Sequence, residues 1–375
     1  MTGPATVAGR LVLDDRVASG HIAIEGGRIT EVSIDPTPRD DGPFIAPGFV
    51  DVHVHGWGGH DAMGGPAALD GMARALLRRG VTSFLPTAVT APLPALAAFA
   101  DHVRGWLPDA PPDGAQPLGF NLEGPFLAAA RRGAHAEAHL REPAGTPPAS
   151  LEALVDDLRL LTIAPELPGA IDLIRWLNER GTTVSIGHSA ALLDEARAGY
   201  AAGARSTTHL FNAMTGIDHR APGVAVAALL DDAVYVELIA DGIHVHPAVW
   251  GLITRLKPPD RLLLVSDALA IAGTGEGHGR VGELEVEVEG LRATLAGTST
   301  LAGSVIALDD ALRNVVAAGI PLPDAVAAAS RNPLALLGVD DRGRIATGQA
   351  ADLVELDEGL RVRRVMRSGS WVVGD

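Results

Sequence analysis

The stretch GFVDVHVHGWGGHDAM, residues 48–63, is the part of the chain from which the fold can be worked out. An apolar run reaches Asp51, two histidines follow one residue apart, and the chain then becomes rich in glycine. Side chains alternate between the two faces of a strand, so His53 and His55 point to the same side. Two imidazoles on one face at the end of a strand indicate a metal site, although solvated or core histidines would give the same pattern.

Similar β-rich runs recur along the chain, separated by Ala- and Leu-rich stretches with helical spacing that end in glycine. Strands that alternate with helices are joined by crossovers and are therefore parallel. Eight such units predict an α/β fold, a (β/α)8 TIM-type barrel, with an open doubly wound sheet as the alternative. The eight predicted strands span residues 48–55, 81–88, 118–125, 159–166, 182–189, 205–212, 233–241 and 261–268.

The two chain ends have a different pattern from the middle. Residues 1–47 and 335–375 carry alternating apolar and polar residues, and the pair Gly26-Gly27 is typical of a hairpin turn. We predict that both ends form one small β-sandwich domain beside a barrel domain of residues 48–334. Residues 276–297, after the eighth strand, are predicted to form a hairpin inserted before the last barrel helix.

Composition excludes several classes of protein and site. A net charge of −16 argues against nucleic acid as a partner, although local positive groups could still bind a small anion. The chain has no cysteine, which excludes disulfides and thiolate ligands, and its only lysine is Lys257. Neither a signal peptide nor an apolar run of membrane-spanning length is visible. We therefore expect a cytoplasmic protein.

Polar residues stand where the predicted strands end, which is where barrels of this kind build their active sites. Histidine and carboxylate ligands together favour Zn²⁺ or another borderline divalent ion. Such an ion with an open position activates water and polarises a carbonyl, and a nearby aspartate can shuttle the proton, so we expect hydrolysis of an amide or a related bond. The strand-end residues are His53, His55, Glu123, His188, His209, His244 and Asp267.

These motifs resemble the amidohydrolase superfamily and, within it, the N-acetylglucosamine-6-phosphate deacetylase family. The resemblance runs nearly end to end and rests on PGFVDVHVHG, LEGPFL, RRGAH, IGHS, THLFNAM, ADGIHV, LVSDA and GRIATGQAADLV. It implies metal-dependent removal of the acetyl group from a phosphorylated amino sugar. The implied metal is zinc, with iron, manganese or cobalt as alternatives.

The resemblance also implies roles for single residues. Glu123, His188 and His209 match metal ligands, and Asp267 matches the general base and acid. His53 and His55 are expected to hold a second ion, which Glu123 could bridge. The expected substrate-binding residues, including an arginine that reaches into a neighbouring subunit and so implies a homodimer, are His135, Asn212, Ala213, Arg220 and His244.

Several alternatives remain open at this stage. His135 could be an ordinary loop histidine and Arg220 a solvated charge. A galactosamine substrate fits the motifs as well as a glucosamine one, since no motif reads the sugar hydroxyl by which they differ. A dihydroorotase-like or dipeptidase-like enzyme would need a lysine at the fourth strand, where this chain has Ala164-Pro165-Glu166. A catalytically silent barrel scaffold is the remaining alternative.

Overall fold

The computed structural model describes residues 5–37, 41–275 and 277–374. Eight parallel strands form the centre of the molecule, and each pairs with the next in the order of the chain. All eight predicted strands are present, so the predicted barrel class is confirmed. The strands span Phe49–Val54, Val81–Val89, Phe120–Glu123, Leu158–Ile163, Thr183–Ile186, Ser206–Thr207, Tyr235–Ile239 and Leu262–Val265.

The sheet curls until its first and last strands meet. The backbone N–H of Asp267, just after the eighth strand, donates to the carbonyl of His53 at 2.9 Å, and the N–H of His55 donates to Ala268 at 2.9 Å. These bonds exclude the open doubly wound sheet, whose edge strands would lie far apart. They also bring the opening histidine pair beside the aspartate of the eighth strand.

Helices cover the outside of the barrel because one face of each is apolar. In the helix Pro66–Leu77, the buried residues Leu69, Met72, Leu76 and Leu77 fall on one side at helical spacing. The other helices, including the last one, which packs against the barrel core through Leu334, span Leu93–Trp106, Glu152–Val155, Ala170–Glu179, Leu193–Ala201, Val224–Leu230, Pro247–Leu256, Leu308–Ala317, Leu322–Ala328 and Arg331–Leu337. None of the helices in the described residues is long and apolar enough to cross a membrane.

Both chain ends contribute to one small β-domain, as predicted, and its strands form one seven-stranded sheet. It pairs Ala5–Val12 in parallel with Phe44–Pro47, and its other strand pairs are antiparallel. Gly26 and Gly27, at φ 59° and 79°, make the expected hairpin turn, because two successive positive φ angles suit glycine. The remaining strands are Val17–Glu25, Arg28–Ile34, Leu353–Leu356, Val362–Arg367 and Ser370–Val373. The domain boundaries at 47/48 and 334/335 stay predictions, and residues 1–4, 38–40 and 375 lie outside the described residues.

The insertion after the eighth strand differs from its prediction. It is a three-stranded antiparallel sheet of Gly277–Val281, Leu284–Glu289 and Arg292–Leu295 rather than a two-stranded hairpin. The third strand was missed because Arg292–Leu295 has only four residues. Residue 276, at the start of the predicted hairpin, lies outside the described residues.

Candidate active site and metal centre

Glu123, at the end of the third strand, lies at the centre of a cluster of histidines. Its Oε1 is 2.9 Å from Nε2 of His188 and 2.9 Å from Nε2 of His209, and these two nitrogens are 3.0 Å apart. All three side chains are buried. The structure therefore brings together the three residues that the family resemblance implied as metal ligands.

The opening histidine pair lies on the other side of Glu123, next to Asp267. Nε2 of His55 is 3.1 Å from Asp267 Oδ1 and 3.2 Å from Glu123 Oε2. Nε2 of His53 is 3.5 Å from Asp267 Oδ1 and 3.6 Å from Glu123 Oε1. The two rings are 5.1 Å apart, as expected for side chains on one face of a strand. Glu123 thus contacts both groups of histidines: Oε1 lies against His188 and His209, and Oε2 lies against His55.

Hydrogen bonds on the far side of each ring assign the proton to Nδ1 in three of these histidines. Nδ1 of His55 lies 3.1 Å from the carbonyl of Thr87, and Nδ1 of His188 lies 2.8 Å from the carbonyl of Arg131. A carbonyl only accepts, so the nitrogen must donate. Nδ1 of His53 likewise faces a carboxylate oxygen, Oε2 of Glu237, at 3.0 Å. In the neutral rings, Nε2 then carries a lone pair that points into the site.

His135 has the opposite arrangement. Its Nδ1 accepts the backbone N–H of Thr90 at 3.2 Å, so in the neutral ring the proton is on Nε2. That Nε2 is 3.1 Å from Glu123 Oε2. His135 therefore presents a hydrogen-bond donor to the site, whereas the neutral rings of His53, His55 and His188 would present lone pairs. His135 is buried at the site, which excludes the alternative that it is an ordinary solvated loop histidine.

The donor atoms fit a divalent cation. The lone pair of neutral His188 faces Oε1 of Glu123, and His53 Nε2 is buried with no hydrogen-bond partner among the described residues. Lone pairs that converge without a proton between them repel each other, and a cation at their centre removes that repulsion. Imidazole and carboxylate are ligands that Zn²⁺ and related ions accept. In two buried groups, all possible ligand atoms lie within 4.8 Å of one another. One group is His53, His55 and Glu123, and the other is Glu123, His135 and His188.

The charges inside the site shift the pKa values of its members in the metal-free protein. Burial, opposed by Glu123 and reinforced by His135, lowers the pKa of His188 to about 4. Burial also acts to lower the pKa of His55, but hydrogen bonds with Asp267 and Glu123 outweigh it and raise that pKa to about 9. For Asp267 burial acts to raise the pKa, yet the charge of His53 and the hydrogen bond from His55 hold it at about 2. Asp267 is therefore ionised at neutral pH.

Four of the residues at the site have a strained backbone. His188, His209, Ala213 and Asp267 lie in the left-handed region, with φ of 48°, 28°, 50° and 49°. Non-glycine residues rarely adopt it, and such strain clusters at functional sites. Neighbouring segments hold Asp267 in place, since its N–H donates to His53 and its carbonyl accepts from Ser304 at 2.8 Å.

A cavity of about 350 Å³ opens above the cluster. Its volume is within the range usual for small-molecule sites. Of the predicted substrate-binding residues, those that line it are His135, Asn212, Ala213 and His244. Nδ1 of His244 lies 2.6 Å from Oδ2 of Asp241, which orients the ring. Arg220 is exposed and does not line this cavity, and it sits in the loop that follows Ala213.

Some residues of the site were missed by sequence reasoning. Thr300 and Leu301, after the inserted sheet, line the cavity, and so does Val281 within that sheet. The backbone carbonyls that orient His55 and His188 cannot be predicted from residue types. Glu237 could have been found in the sequence, because it is a charged residue in the otherwise apolar run VYVELIA. A carboxylate inside a buried strand needs a partner.

Comparison with known proteins supplies the family. Residues 44–372 match the amidohydrolase family. The chain belongs to the amidohydrolase family. The N-acetylglucosamine-6-phosphate deacetylase of Bos taurus is 40% identical to this amidohydrolase, and the match covers 93% of this chain and 90% of that protein. An N-acetylgalactosamine-6-phosphate deacetylase of Escherichia coli O157:H7 is 38% identical, and the match covers 96% of this chain and 94% of that protein.

A solved structure agrees with this assignment. A mutant of the Mycobacterium smegmatis N-acetyl-D-glucosamine-6-phosphate deacetylase, in complex with N-acetyl-D-glucosamine-6-phosphate, superposes on this amidohydrolase with a TM-score of 0.90. The two chains are 36% identical, and the match covers 99% of this chain and 100% of that one. The predicted resemblance is thus confirmed, and the chain is a hydrolase.

Proposed function

We propose that this amidohydrolase hydrolyses the N-acetyl group of N-acetylglucosamine 6-phosphate, giving glucosamine 6-phosphate and acetate. The observation that carries the proposal is the cluster of His188 and His209 on Glu123, with Asp267 beside it at the floor of a cavity of about 350 Å³. Relatives that match almost the whole chain are named for this activity. A scaffold that had lost catalysis would have no need to keep this buried set of ionisable groups together.

Glu123, His188 and His209 would hold one divalent metal, and His53 and His55 would hold a second beside Asp267 and Glu123. The donors fit zinc, and iron, manganese and cobalt are the alternatives. When bound, such an ion makes water acidic near neutral pH and polarises a carbonyl oxygen.

The side chains of the protein would then move the protons. Asp267, ionised at neutral pH, would take a proton from the attacking water as a bond forms between its oxygen and the acetyl carbon. The same carboxyl would return that proton to the nitrogen as the C–N bond breaks, so that the sugar leaves as an amine. His135 would donate a hydrogen bond from Nε2 to the substrate near the scissile amide, because its Nδ1 is fixed as an acceptor.

The phosphate needs local donors, since the chain carries a net charge of −16. Asn212, Ala213 and His244 would contact the sugar phosphate within the cavity. Arg220 is exposed and does not line the cavity of its own chain, so it would contact the phosphate bound by a neighbouring subunit rather than its own. Ile217, in the same loop, is 57% exposed, and Leu192, which pairs with that loop at Gly223, is 48% exposed. An apolar surface there is consistent with a homodimer interface.

The test is acetate release from a panel of N-acetyl amino sugars, each with and without the 6-phosphate, by purified enzyme reconstituted with each candidate metal. We expect turnover of N-acetylglucosamine 6-phosphate and little of its unphosphorylated analogue. Absence of acetate release from every member of the panel, with the metal bound, would refute the proposal.

N-acetylgalactosamine 6-phosphate is the second candidate substrate, because the relative from Escherichia coli O157:H7 is named for it. The two substrates differ in the configuration of one hydroxyl, and the ratio of their kcat/KM values decides between them. The cytoplasmic location stays a prediction from the sequence.

A further inference from the structure

Glu237 is a buried carboxylate that the proposed reaction does not use. It lies in the seventh strand, Tyr235–Ile239, and its side chain is fully buried. A buried carboxylate loses its hydration, which costs several kcal/mol in real proteins unless hydrogen bonds or charges compensate. Its contacts therefore indicate what it is for.

One oxygen of Glu237 accepts two hydrogen bonds from the site. Oε2 is 3.0 Å from Nδ1 of His53 and 3.1 Å from the backbone nitrogen of His209. The carbonyl of Glu237 also accepts the N–H of Leu210 at 2.8 Å. The other oxygen, Oε1, has no hydrogen-bond partner among the described residues. Glu237 is thus joined to one ring of the outer histidine pair and to the backbone of the inner group.

The contact with His53 differs in kind from those of the other rings. His55 and His188 donate from Nδ1 to backbone carbonyls, whereas His53 donates to a carboxylate. An ionised acceptor makes a stronger hydrogen bond than a carbonyl, and it increases the basicity of the opposite nitrogen. That nitrogen, Nε2 of His53, is the buried one without a partner. It is also farther from Glu123 and Asp267 than Nε2 of His55 is.

We propose that Glu237 is a positioning residue for the outer metal site: it keeps a proton on Nδ1 of His53, so that Nε2 gives its lone pair to the ion once the ion has displaced a proton from that nitrogen. This inference rests on the proposed function, in which His53 and His55 hold a second ion. It predicts that Glu237 controls the affinity of the second ion through His53 and that the ion at Glu123, His188 and His209 is affected less, because there Glu237 contacts only the backbone nitrogen of His209.

Two variants separate this role from simple packing. Glu237→Leu fills a similar volume but accepts no hydrogen bond, so His53 is free to carry its proton on Nε2, where it blocks the ion. Glu237→Gln keeps an oxygen that can accept from His53 and loses only the charge. Ser206→Ala serves as the control, since it removes a buried hydroxyl of the sixth strand that has no hydrogen-bond partner among the described residues.

The measurement is a zinc titration of the full-length metal-free protein, with the ion count from elemental analysis and both dissociation constants from competition with a chromophoric chelator. We expect Glu237→Leu to lower the affinity for the second ion by about 10- to 100-fold, the range usual for the loss of such a supporting carboxylate. Glu237→Gln should lie between Leu and wild type. Ser206→Ala should match wild type at both ions.

His53→Gln provides the decisive comparison. If Glu237 acts through His53, adding Glu237→Leu to His53→Gln should cause no further loss of second-ion affinity. Four outcomes would each overturn the proposal. Glu237→Leu could keep the wild-type affinity for the second ion, or lose affinity equally for both ions. It could also lose as much second-ion affinity in the His53→Gln background as in the wild type, or the wild type could take up only one ion. Acetate release by the wild type is measured separately, so failure of the proposed function is distinguished from failure of this inference.

Discussion

Replacing Asp267 by asparagine tests the proposed chemistry most directly. The two side chains have nearly the same shape, and asparagine can still accept a hydrogen bond from His55, whose Nε2 is 3.1 Å from Asp267 Oδ1. The amide cannot take a proton from water at any pH used in an assay. The variant therefore removes the proposed base and acid while leaving the ligand atoms of Glu123, His188 and His209 in place.

The size of the effect follows from the role and from the charges around the carboxylate. A positioned base or acid contributes about 10²- to 10⁴-fold, so kcat should fall by that factor, which corresponds to about 3 to 5 kcal/mol in the barrier. The pKa of Asp267 is lowered from 3.8 to about 2, so in the metal-free fold the ionised form is favoured by about 2 kcal/mol. This stability is present above the unfolded value of 3.8 and is lost as the pH falls toward 2. Asp267→Asn should therefore also lower the unfolding free energy of the metal-free protein at pH 7.

The assay is steady-state acetate release by the metal-loaded variant, with metal per chain measured on the same sample. Asp352→Asn is the matched control, because Asp352 is a buried carboxylate of the small sheet domain that accepts the N–H of Ser368 at 2.7 Å. Asp267→Asn with wild-type kcat and a full metal complement would refute the role of Asp267. A drop that follows metal content alone would show that Asp267 acts only as a ligand.

Three further predictions concern the phosphate, the histidine pair and pH. Arg220→Ala should raise KM for the 6-phosphorylated substrate far more than for its unphosphorylated analogue, because only the former carries the anion; equal changes in acetate-release kinetics would exclude a phosphate contact. The double variant His53→Gln/His55→Asn should bind one ion per chain by elemental analysis where wild type binds two, and equal stoichiometry and affinity would show that the pair is no metal site. The affinity of the second ion should rise as the pH rises toward about 9, the pKa of His55 in the metal-free protein, since protons compete for the nitrogens of His55 and of His53, whose pKa is also raised; a chelator titration at several pH values that gives a constant affinity would contradict this.

The sequence predicted the barrel well because its strands are buried. Runs such as Val81–Val89 are buried throughout, and a buried strand reads as a continuous apolar run between helical stretches. The candidate ligands were also predictable, because chain order and strand ends fix which residues share one rim of a barrel. Much of this success depended on motifs that are shared across a family. The spacing of His53 and His55 alone left metal and non-metal readings open.

Other parts of the site depend on contacts that no local pattern encodes. The tautomer of His135 follows from the backbone N–H of Thr90, 45 residues away in the chain. The left-handed backbone of His188 and His209 could not be read from residue type, because glycine is the usual residue there. The third strand of the insertion, Arg292–Leu295, has only four residues, and so short a run cannot be distinguished from a turn.

The charge of the buried cluster links its histidines to its metal. Glu123, Asp267 and Glu237 are three carboxylates in one buried region, and neutral histidines leave their charge uncompensated. In the metal-free protein, protons supply the missing charge, because the carboxylates raise the pKa values of His53 and His55 against the effect of burial. Divalent ions supply it instead when they bind, and they must displace those protons from Nε2. His188 differs, since its pKa of about 4 leaves it neutral and ready to coordinate at pH 7. The inner pair is therefore mixed, because, against the effect of burial, the hydrogen bond with Glu123 and the charge of Glu123 raise the pKa of His209, whereas both outer histidines have raised pKa values. This difference makes the outer ion the one more sensitive to pH and to the hydrogen bond from His53 to Glu237.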